Sequence, residues 1–191
     1  MVLEAQHKMT ATEFDAWVEN QTGDTTFEFI SGEIIEKMPS NLYSSIIGMR
    51  IAGFLFVYLL QNKLGFLSGE NGGYKVNDDR YAPDVGYISH AKYTSASKKG
   101  YYNLPPDLAV EVISDGGNKS ELRDLRRKIT GYLNAGTIVW VVDTDEKQVE
   151  IHQMGQNPRV LGVNDVLDAP DLLPNFRLAV KDIFEDENNT P

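Results

Sequence analysis

The segment spanning residues 105–143 constrains the fold most strongly, because its pattern predicts a strand, a helix and a second strand in immediate succession. Residues 107–113 and 138–142 are short apolar runs rich in valine and isoleucine, which is typical of strands buried on both faces. Short connections of this kind join parallel strands through a right-handed crossover. The segment therefore predicts an α/β fold with two parallel strands.

The helix between these strands is predicted to begin after Asn118 and to end near Asn134. Asn118 followed three residues later by Glu121 is typical of a helix start, and Gly136 suits a glycine C-cap. Apolar residues recur at helical spacing along it, at Leu122, Leu125, Ile129, Tyr132 and Leu133. This apolar stripe predicts the face that packs on the sheet.

Lys128 lies about 90° from the centre of that stripe, at about 100° per residue. It is therefore predicted to be a margin residue, neither in the core nor fully exposed. Asp124, Lys128 and Tyr132 follow at intervals of four residues and share one helix edge. Arg123 and Arg127 point away from that edge.

Two acidic residues, Glu111 and Asp84, lie in or beside predicted apolar strands. Glu111 lies within the first apolar run, where an ionised carboxylate is costly unless a cation, a hydrogen-bond network or a metal offsets it. Asp84 follows Pro83 at the mouth of another apolar strand. Together with Lys128, these acids are the parts of a magnesium site in which the acids hold the metal and the amine orients or activates water. Spacing alone leaves open that both acids are structural.

The composition limits the classes of protein and site. The 191 residues, of which 41% are hydrophobic, suffice for one sizeable core, so we expect a single domain over residues 1–191 with its core at about 10–184. The absence of cysteine excludes disulfides, thiolate zinc sites and cysteine nucleophiles. No secretory signal pattern is present, and the longest apolar stretch, residues 51–60, is about half of a membrane span. We expect a cytoplasmic protein without a membrane segment.

The net charge of −10 argues against a nucleic-acid binder that relies on a broad basic face. Acids are dense at the C-terminus, however, at Asp182 and in residues 185–187, so the sum does not describe one groove. Local basic clusters occur at Lys98 and Lys99 and, on the predicted helix, at Arg123, Arg126, Arg127 and Lys128. A solvated helix face is the alternative interpretation of the arginines.

Shorter elements are predicted around the central unit. They are a helix over residues 11–20, a hairpin of strands 27–30 and 34–38, a long helix over 41–62 with an apolar core face, and a second hairpin of strands 148–152 and 159–163. Residues 91–103 are polar and predict a mobile surface loop. Residues 172–184 are expected to return over a sheet edge and to end in a short helix. Residues 1–9 and the last residues are expected to be loose.

Four ordered blocks of the sequence resemble a known family. The blocks are FEFISGE at 27–33, APDV at 82–85, LAVEVIS at 108–114, and a helix with Asp124, Lys128 and Tyr132 followed by Gly136 and VVD at 141–143. They are similar to the Uma-type endonucleases, formerly a domain of unknown function, in the PD-(D/E)xK restriction-endonuclease-like superfamily. The resemblance extends over residues 10–184. It implies a mixed α+β architecture with a central mixed β-sheet flanked by helices.

The resemblance also implies roles for individual residues. Asp84 and Glu111 would be the motif acids and would bind Mg²⁺ or Mn²⁺. The superfamily's usual lysine would stand two residues after the glutamate, where this chain has Ile113, so Lys128 of the following helix would replace it.

Supporting residues follow from the same resemblance. Glu28 would be an additional acid near the metal, although it could equally lie on the surface of the hairpin. Tyr132 would support Lys128, and Asp124 shares their helix edge. Many relatives carry a histidine where this chain has Tyr43, which leaves the role of that position open.

Together with these residues, the resemblance implies a magnesium-dependent endonuclease that hydrolyses phosphodiester bonds in nucleic acid, with DNA as the expected substrate. Asp84, Glu111 and Lys128 would be catalytic, and Arg126 and Arg127 would contact phosphates. A homodimer would suit cleavage of both strands. Two alternatives stay open. One is a nuclease fold that has lost catalysis and serves as an interaction module, which the acidic charge favours. The other is a metal-dependent hydrolase of a smaller phosphorylated substrate.

Overall fold

A computed structural model of the chain describes residues 9–23, 25–93, 95 and 100–184. The helices in this part are α1 (Ala11–Val18), α2 (Leu42–Asn62), α3 (Lys119–Asn134) and α4 (Val180–Phe184). The first six strands are β1 (Phe27–Ile30), β2 (Glu33–Glu36), β3 (Gly65–Gly69), β4 (Tyr74–Val76), β5 (Asp79–Tyr81) and β6 (Val85–Ser89). The remaining strands are β7 (Leu108–Ile113), β8 (Ile138–Asp143), β9 (Gln148–His152), β10 (Arg159–Leu161), β11 (Val166–Ala169) and β12 (Leu173–Ala179).

Some expectations concern residues outside these ranges. They are the leader at residues 1–8, the tail at 185–191 with its acids, and residues 94 and 96–99 of the predicted surface loop, which include Lys98 and Lys99.

The central sheet has six strands in the order β10-β9-β8-β7-β6-β3. β7 and β8 are parallel, in register from Leu108 opposite Ile138 to Ile113 opposite Asp143, and the other neighbours are antiparallel. α3 connects the parallel pair, so the predicted strand-helix-strand unit is confirmed. The predicted fold class, a mixed sheet flanked by helices, is confirmed as well.

Alternate residues of β7 enter different layers, because side chains along a strand alternate between the two faces of a sheet. Leu108, Val110 and Val112 belong to the apolar cluster that contains α2. Ala109 belongs to a second cluster, together with Tyr132 of α3. Glu111 has the same parity as Ala109, so β7 presents this acid to α3.

α2 covers one face of the central sheet. Its N-cap is Asn41, whose side chain accepts a hydrogen bond from the Ser44 amide at 2.9 Å. Ile47, Ile51 and Leu55 are fully buried on its inner face, and each such burial stabilises the fold by about 1.5–3 kcal/mol. Within the described residues, α2 is also the one helix whose length and apolar composition would suit a membrane span.

A second sheet, with strand order β2-β1-β5-β4, packs on the α3 side of the molecule. The predicted β1–β2 hairpin is confirmed. Its two-residue turn, Ser31 and Gly32, has φ of 54° and 87°, and two positive φ values match the turn type whose twist suits a hairpin. Tyr81 of β5 packs edge-on against Tyr132 with ring centroids 4.9 Å apart. This sheet therefore brings β1 close to α3.

The C-terminal segment differs from the expectation that it covers a sheet edge. β12 pairs with β11, which the sequence pattern did not predict, in a separate two-stranded sheet. Leu173, Phe176 and Ile183 are buried in the α2 cluster. The segment covers the face of the central sheet, because its apolar side chains need a buried surface that an edge strand does not offer. The short terminal helix is confirmed as α4.

Candidate active site

A cleft of about 300 Å³ opens where the β2 edge of the second sheet, the end of β7 and the start of α3 meet. Among the charged residues that line it, Glu28, Lys37, Asp84, Glu111 and Lys128 are joined to one another by ion pairs. The three residues predicted to be catalytic, Asp84, Glu111 and Lys128, are therefore brought together in one place.

Asp84 takes its position from the end of the β6–β7 ladder. Val85 pairs with Val110 in the antiparallel register, so continuing that register places Asp84 opposite Glu111. The Asp84 carboxylate accepts a hydrogen bond from the Val112 amide at 2.7 Å. This side-chain bond replaces the next rung of the ladder and fixes the carboxylate at the mouth of the cleft.

Glu111 is buried, with 7% of its surface exposed. Its Oε2 accepts a hydrogen bond from Lys128 Nζ at 2.8 Å, and its Oε1 accepts one from the Tyr132 hydroxyl at 3.0 Å. Lys128 and Tyr132 lie one turn apart on α3, so the predicted helix edge presents both donors to the acid. Burial raises the pKa of Glu111 to about 7, against the lowering effect of Lys128, and the charges of Asp84 and Glu28 add to the rise.

Lys128 lies deeper than predicted. Its exposure is 5%, so the expectation of a margin residue is wrong. Its ammonium group contacts Glu111 Oε2 and Glu28 Oε1, each at 2.8 Å, and two carboxylates offset the cost of burying one ammonium. Burial alone would lower the pKa of Lys128, but Glu111 and Glu28 outweigh it and raise the pKa above its ordinary value. The side chain is therefore a charged donor and not a general base.

Glu28 belongs to this buried group, and the alternative that it is a surface residue of the hairpin is wrong. It is 6% exposed. Its Oε1 accepts a hydrogen bond from the Ala82 amide at 2.7 Å in addition to its contact with Lys128. Glu28 thus joins β1 to the segment that carries Asp84.

Lys37 is the residue of the cleft that the sequence analysis missed. Its Nζ donates to Asp84 Oδ1 at 3.0 Å and to the Ala82 carbonyl at 2.8 Å, with the Glu70 carbonyl at 3.3 Å. A signal was present in the sequence, since Lys37 stands two residues after the inward-facing Ile35 and continues the same face. The cleft therefore has an ammonium group on each side.

The predicted phosphate-binding arginines lie outside the cleft. Arg126 is exposed. Arg127 Nη1 contacts Glu33 Oε2 at 2.7 Å and Asp124 Oδ1 at 3.6 Å. Asp124 lines the rim of the cleft, and it also binds the exposed Arg123 at 3.0 Å.

The acids of the cleft are the kind of ligand that a divalent cation needs. In the described ranges, no three or more histidine, aspartate or glutamate side chains form a group that could hold a metal ion. Mg²⁺, however, is commonly held by one or two carboxylates together with water and substrate phosphates. Asp84 and Glu111 supply two carboxylates from facing positions, and with Glu28 three acids contact the two lysines. This excess of negative charge fits a cation.

Comparison with known proteins gives a family match and a structural similarity. The model of the Uma2 family, described as putative restriction endonuclease, matches residues 11–181. The crystal structure of a putative nuclease belonging to DUF820 from Anabaena variabilis is similar in fold, with a TM-score of 0.79 and 19% sequence identity over 92% of this chain and 97% of that chain. No curated protein matches this sequence. The resemblance drawn from the four sequence blocks is confirmed.

Proposed function

Because this chain belongs to the Uma2 family of putative restriction endonucleases, we propose that it is a divalent-metal-dependent endonuclease that hydrolyses phosphodiester bonds in DNA. The observation that carries the proposal is the pairing of Asp84 and Glu111 in one cleft with the charged, buried Lys128. Restriction-endonuclease-like families generally use divalent metals.

Asp84 and Glu111 would hold Mg²⁺ or Mn²⁺ at the mouth of the cleft. The bound ion would supply a water of lowered pKa and would offset charge on the phosphate. Tyr132 holds one oxygen of Glu111 and the Val112 amide holds one oxygen of Asp84. Both carboxylates therefore have fixed positions before a substrate arrives, which is the preorganisation that electrostatic catalysis needs.

Lys128 would orient the attacking water and stabilise negative charge on the phosphate. Its raised pKa keeps the ammonium protonated, so it acts by donating hydrogen bonds and by its charge. Lys37 places a second ammonium beside Asp84, on the other side of the cleft. Positive charge thus flanks the acids on both sides.

The acidity of the chain and the acids of the cleft have a consequence for substrate binding. The carboxylates of the cleft would repel phosphates unless a cation compensates them. DNA binding at the cleft should therefore depend on the divalent metal. The net charge of −10 is compatible with a nuclease that relies on its metal instead of a broad basic face.

Nicking of supercoiled plasmid tests the proposal. Purified protein should cut with Mg²⁺ or Mn²⁺ and not with EDTA, and Glu111→Gln and Lys128→Met should each lose the activity while retaining the circular dichroism of the wild type. Arg159→Gln is the matched control, because Arg159 pairs with Asp168 at 3.0 Å on exposed surface and does not line the cleft. Equal cleavage by all variants would identify a contaminant and contradict the proposal.

A protein that has lost catalysis and serves as an interaction module is the second candidate. The observation that favours it is that lysines already satisfy the acids, Lys37 at Asp84 and Lys128 at Glu111. It predicts no cleavage and no metal binding by the wild type. Hydrolysis of a small phosphodiester without cleavage of plasmid would instead favour a hydrolase of smaller phosphorylated substrates.

A further inference from the structure

The outer face of α2 is apolar and exposed. Six residues form it, which we call the outer stripe: Leu42, Ile46, Met49, Phe56, Val57 and Leu60, with exposures of 76, 41, 67, 54, 55 and 62%. At about 100° per residue they lie within an arc of about 100°, opposite the buried Ile47, Ile51 and Leu55. A surface helix normally carries polar residues on this side. α2 is therefore apolar on two opposite faces.

The outer stripe has the area of a protein interface. Taking about 200 Å² for a fully exposed large apolar residue, the exposures amount to roughly 700 Å². The largest apolar patch of a typical monomer is about 300–600 Å². A standard interface buries about 800 Å² on each partner. The stripe thus exceeds what a monomer usually exposes and approaches one side of a stable interface.

A groove of about 670 Å³ runs along the stripe, between α2 and β12. Gly53 and Val57 lie on its α2 wall, and Phe176 and Leu178 lie on the β12 wall. A Cβ atom at Gly53 would meet no atom within 4 Å, so a second helix has room to approach the backbone at this point. A ridge and a groove side by side are what a two-fold interface requires, because one surface must be complementary to itself.

We propose that the outer stripe and this groove form a homodimer interface, in which α2 of one copy packs against α2 of a second copy across a two-fold axis near Gly53. The stripe has no charged residue, and the charged residues that line the groove are two arginines, Arg50 and Arg177, so two copies that each carry a net charge of −10 would meet without bringing acids of these surfaces together. Ridges of one copy, such as Phe56 and Leu60, would enter the groove of the other.

A membrane surface is the competing occupant of an apolar helix face. Helices that lie on anionic bilayers are rich in lysine and arginine on their polar face. Within α2, Arg50 is the one charged residue, and its guanidinium donates a hydrogen bond to the Ile183 carbonyl at 2.9 Å. The strongly acidic chain would also be repelled by anionic lipids. The chemistry of the surface therefore favours a second copy of the chain.

Sedimentation equilibrium of the full chain tests this interface. The wild type should be a dimer at micromolar concentration, and Phe56→Gln/Leu60→Gln should raise the dissociation constant about 100-fold or more, because large apolar side chains of both copies leave the interface. Met154→Gln/Val160→Gln is the matched control, since these side chains are 55 and 56% exposed but belong to neither the outer stripe nor the groove, and Val160 lies on the edge strand β10. The control should dimerise like the wild type.

Three results would overturn the proposal. The first is a wild type that is monomeric at about 100 µM. The second is an equal dissociation constant for the two double variants. The third is a monomeric wild type that sediments with vesicles of phosphatidylcholine and phosphatidylglycerol, while Phe56→Gln/Leu60→Gln does not. Circular dichroism checks that both variants fold, which is expected because all four side chains are exposed.

Discussion

Glu111→Gln should remove a pH dependence from the stability of the metal-free protein. The pKa of Glu111 rises from 4.5 to about 7 in the folded state, first because of burial and then because of the charges of Asp84 and Glu28, against the opposing effect of Lys128. The folded protein therefore binds this proton more tightly than the unfolded chain does. The resulting stabilisation is complete below about pH 4.5 and is lost as the pH rises through about 7.

The size of this effect follows from the shift. A rise from 4.5 to about 7 corresponds to roughly 3 kcal/mol in the free energy of unfolding. Glutamine keeps the shape of the side chain and does not ionise, so the variant does not lose this stability as the pH rises. Between pH 5 and pH 8, the stability of Glu111→Gln relative to the wild type should rise by up to roughly 3 kcal/mol.

Urea denaturation followed by circular dichroism, in EDTA at several pH values from 5 to 8, measures this difference. Glu33→Gln is the control, because Glu33 is an exposed acid paired with Arg127 and exposed pairs contribute little, about 0–1 kcal/mol. The difference between Glu33→Gln and the wild type should stay nearly constant. A constant difference for Glu111→Gln over the same range would refute the charge balance inferred for the cleft.

Three further outcomes are expected. Lys37→Met should strengthen Mn²⁺ binding roughly tenfold, because it removes a positive charge that contacts Asp84 at 3.0 Å, and calorimetric titration checks this; unchanged or weaker binding would contradict it. Tyr132→Phe should lower the free energy of unfolding by about 1–2 kcal/mol, because Glu111 Oε1 loses a buried donor, and urea denaturation measures the loss. Arg126→Gln/Arg127→Gln should weaken DNA binding and lower its salt slope by about one for each lost phosphate contact, mainly through Arg126 because Glu33 holds Arg127; an unchanged slope would identify the arginines as a solvated helix face.

The local sequence pattern predicted the strand-helix-strand unit that carries most of the site. Valine-rich runs and helical spacing placed β7, α3 and β8 correctly. The four-residue spacing of Lys128 and Tyr132 predicted that both would lie on one edge, and both donate to Glu111. These features depend on neighbours in sequence, which periodicity describes well.

The remaining features depend on pairing between distant segments. Lys37 meets Asp84 across 47 positions of sequence, and Glu28 meets Ala82 across 54. The depth of Lys128 depends on Glu28, because a lysine that faces one acid belongs at the margin of a core and a lysine between two acids can be buried. Periodicity along one helix does not contain that information.

Calorimetric titration with Mn²⁺ at pH 8 is the most direct test of whether Asp84 and Glu111 hold a divalent metal. At this pH Glu111 is mostly ionised, since its pKa is about 7. The wild type and Arg159→Gln should bind Mn²⁺ with the same affinity, and Asp84→Asn and Glu111→Gln should each weaken binding about tenfold or more, because each loses one carboxylate ligand. The absence of binding by the wild type, or equal affinity in all four proteins, would contradict a metal site in the cleft.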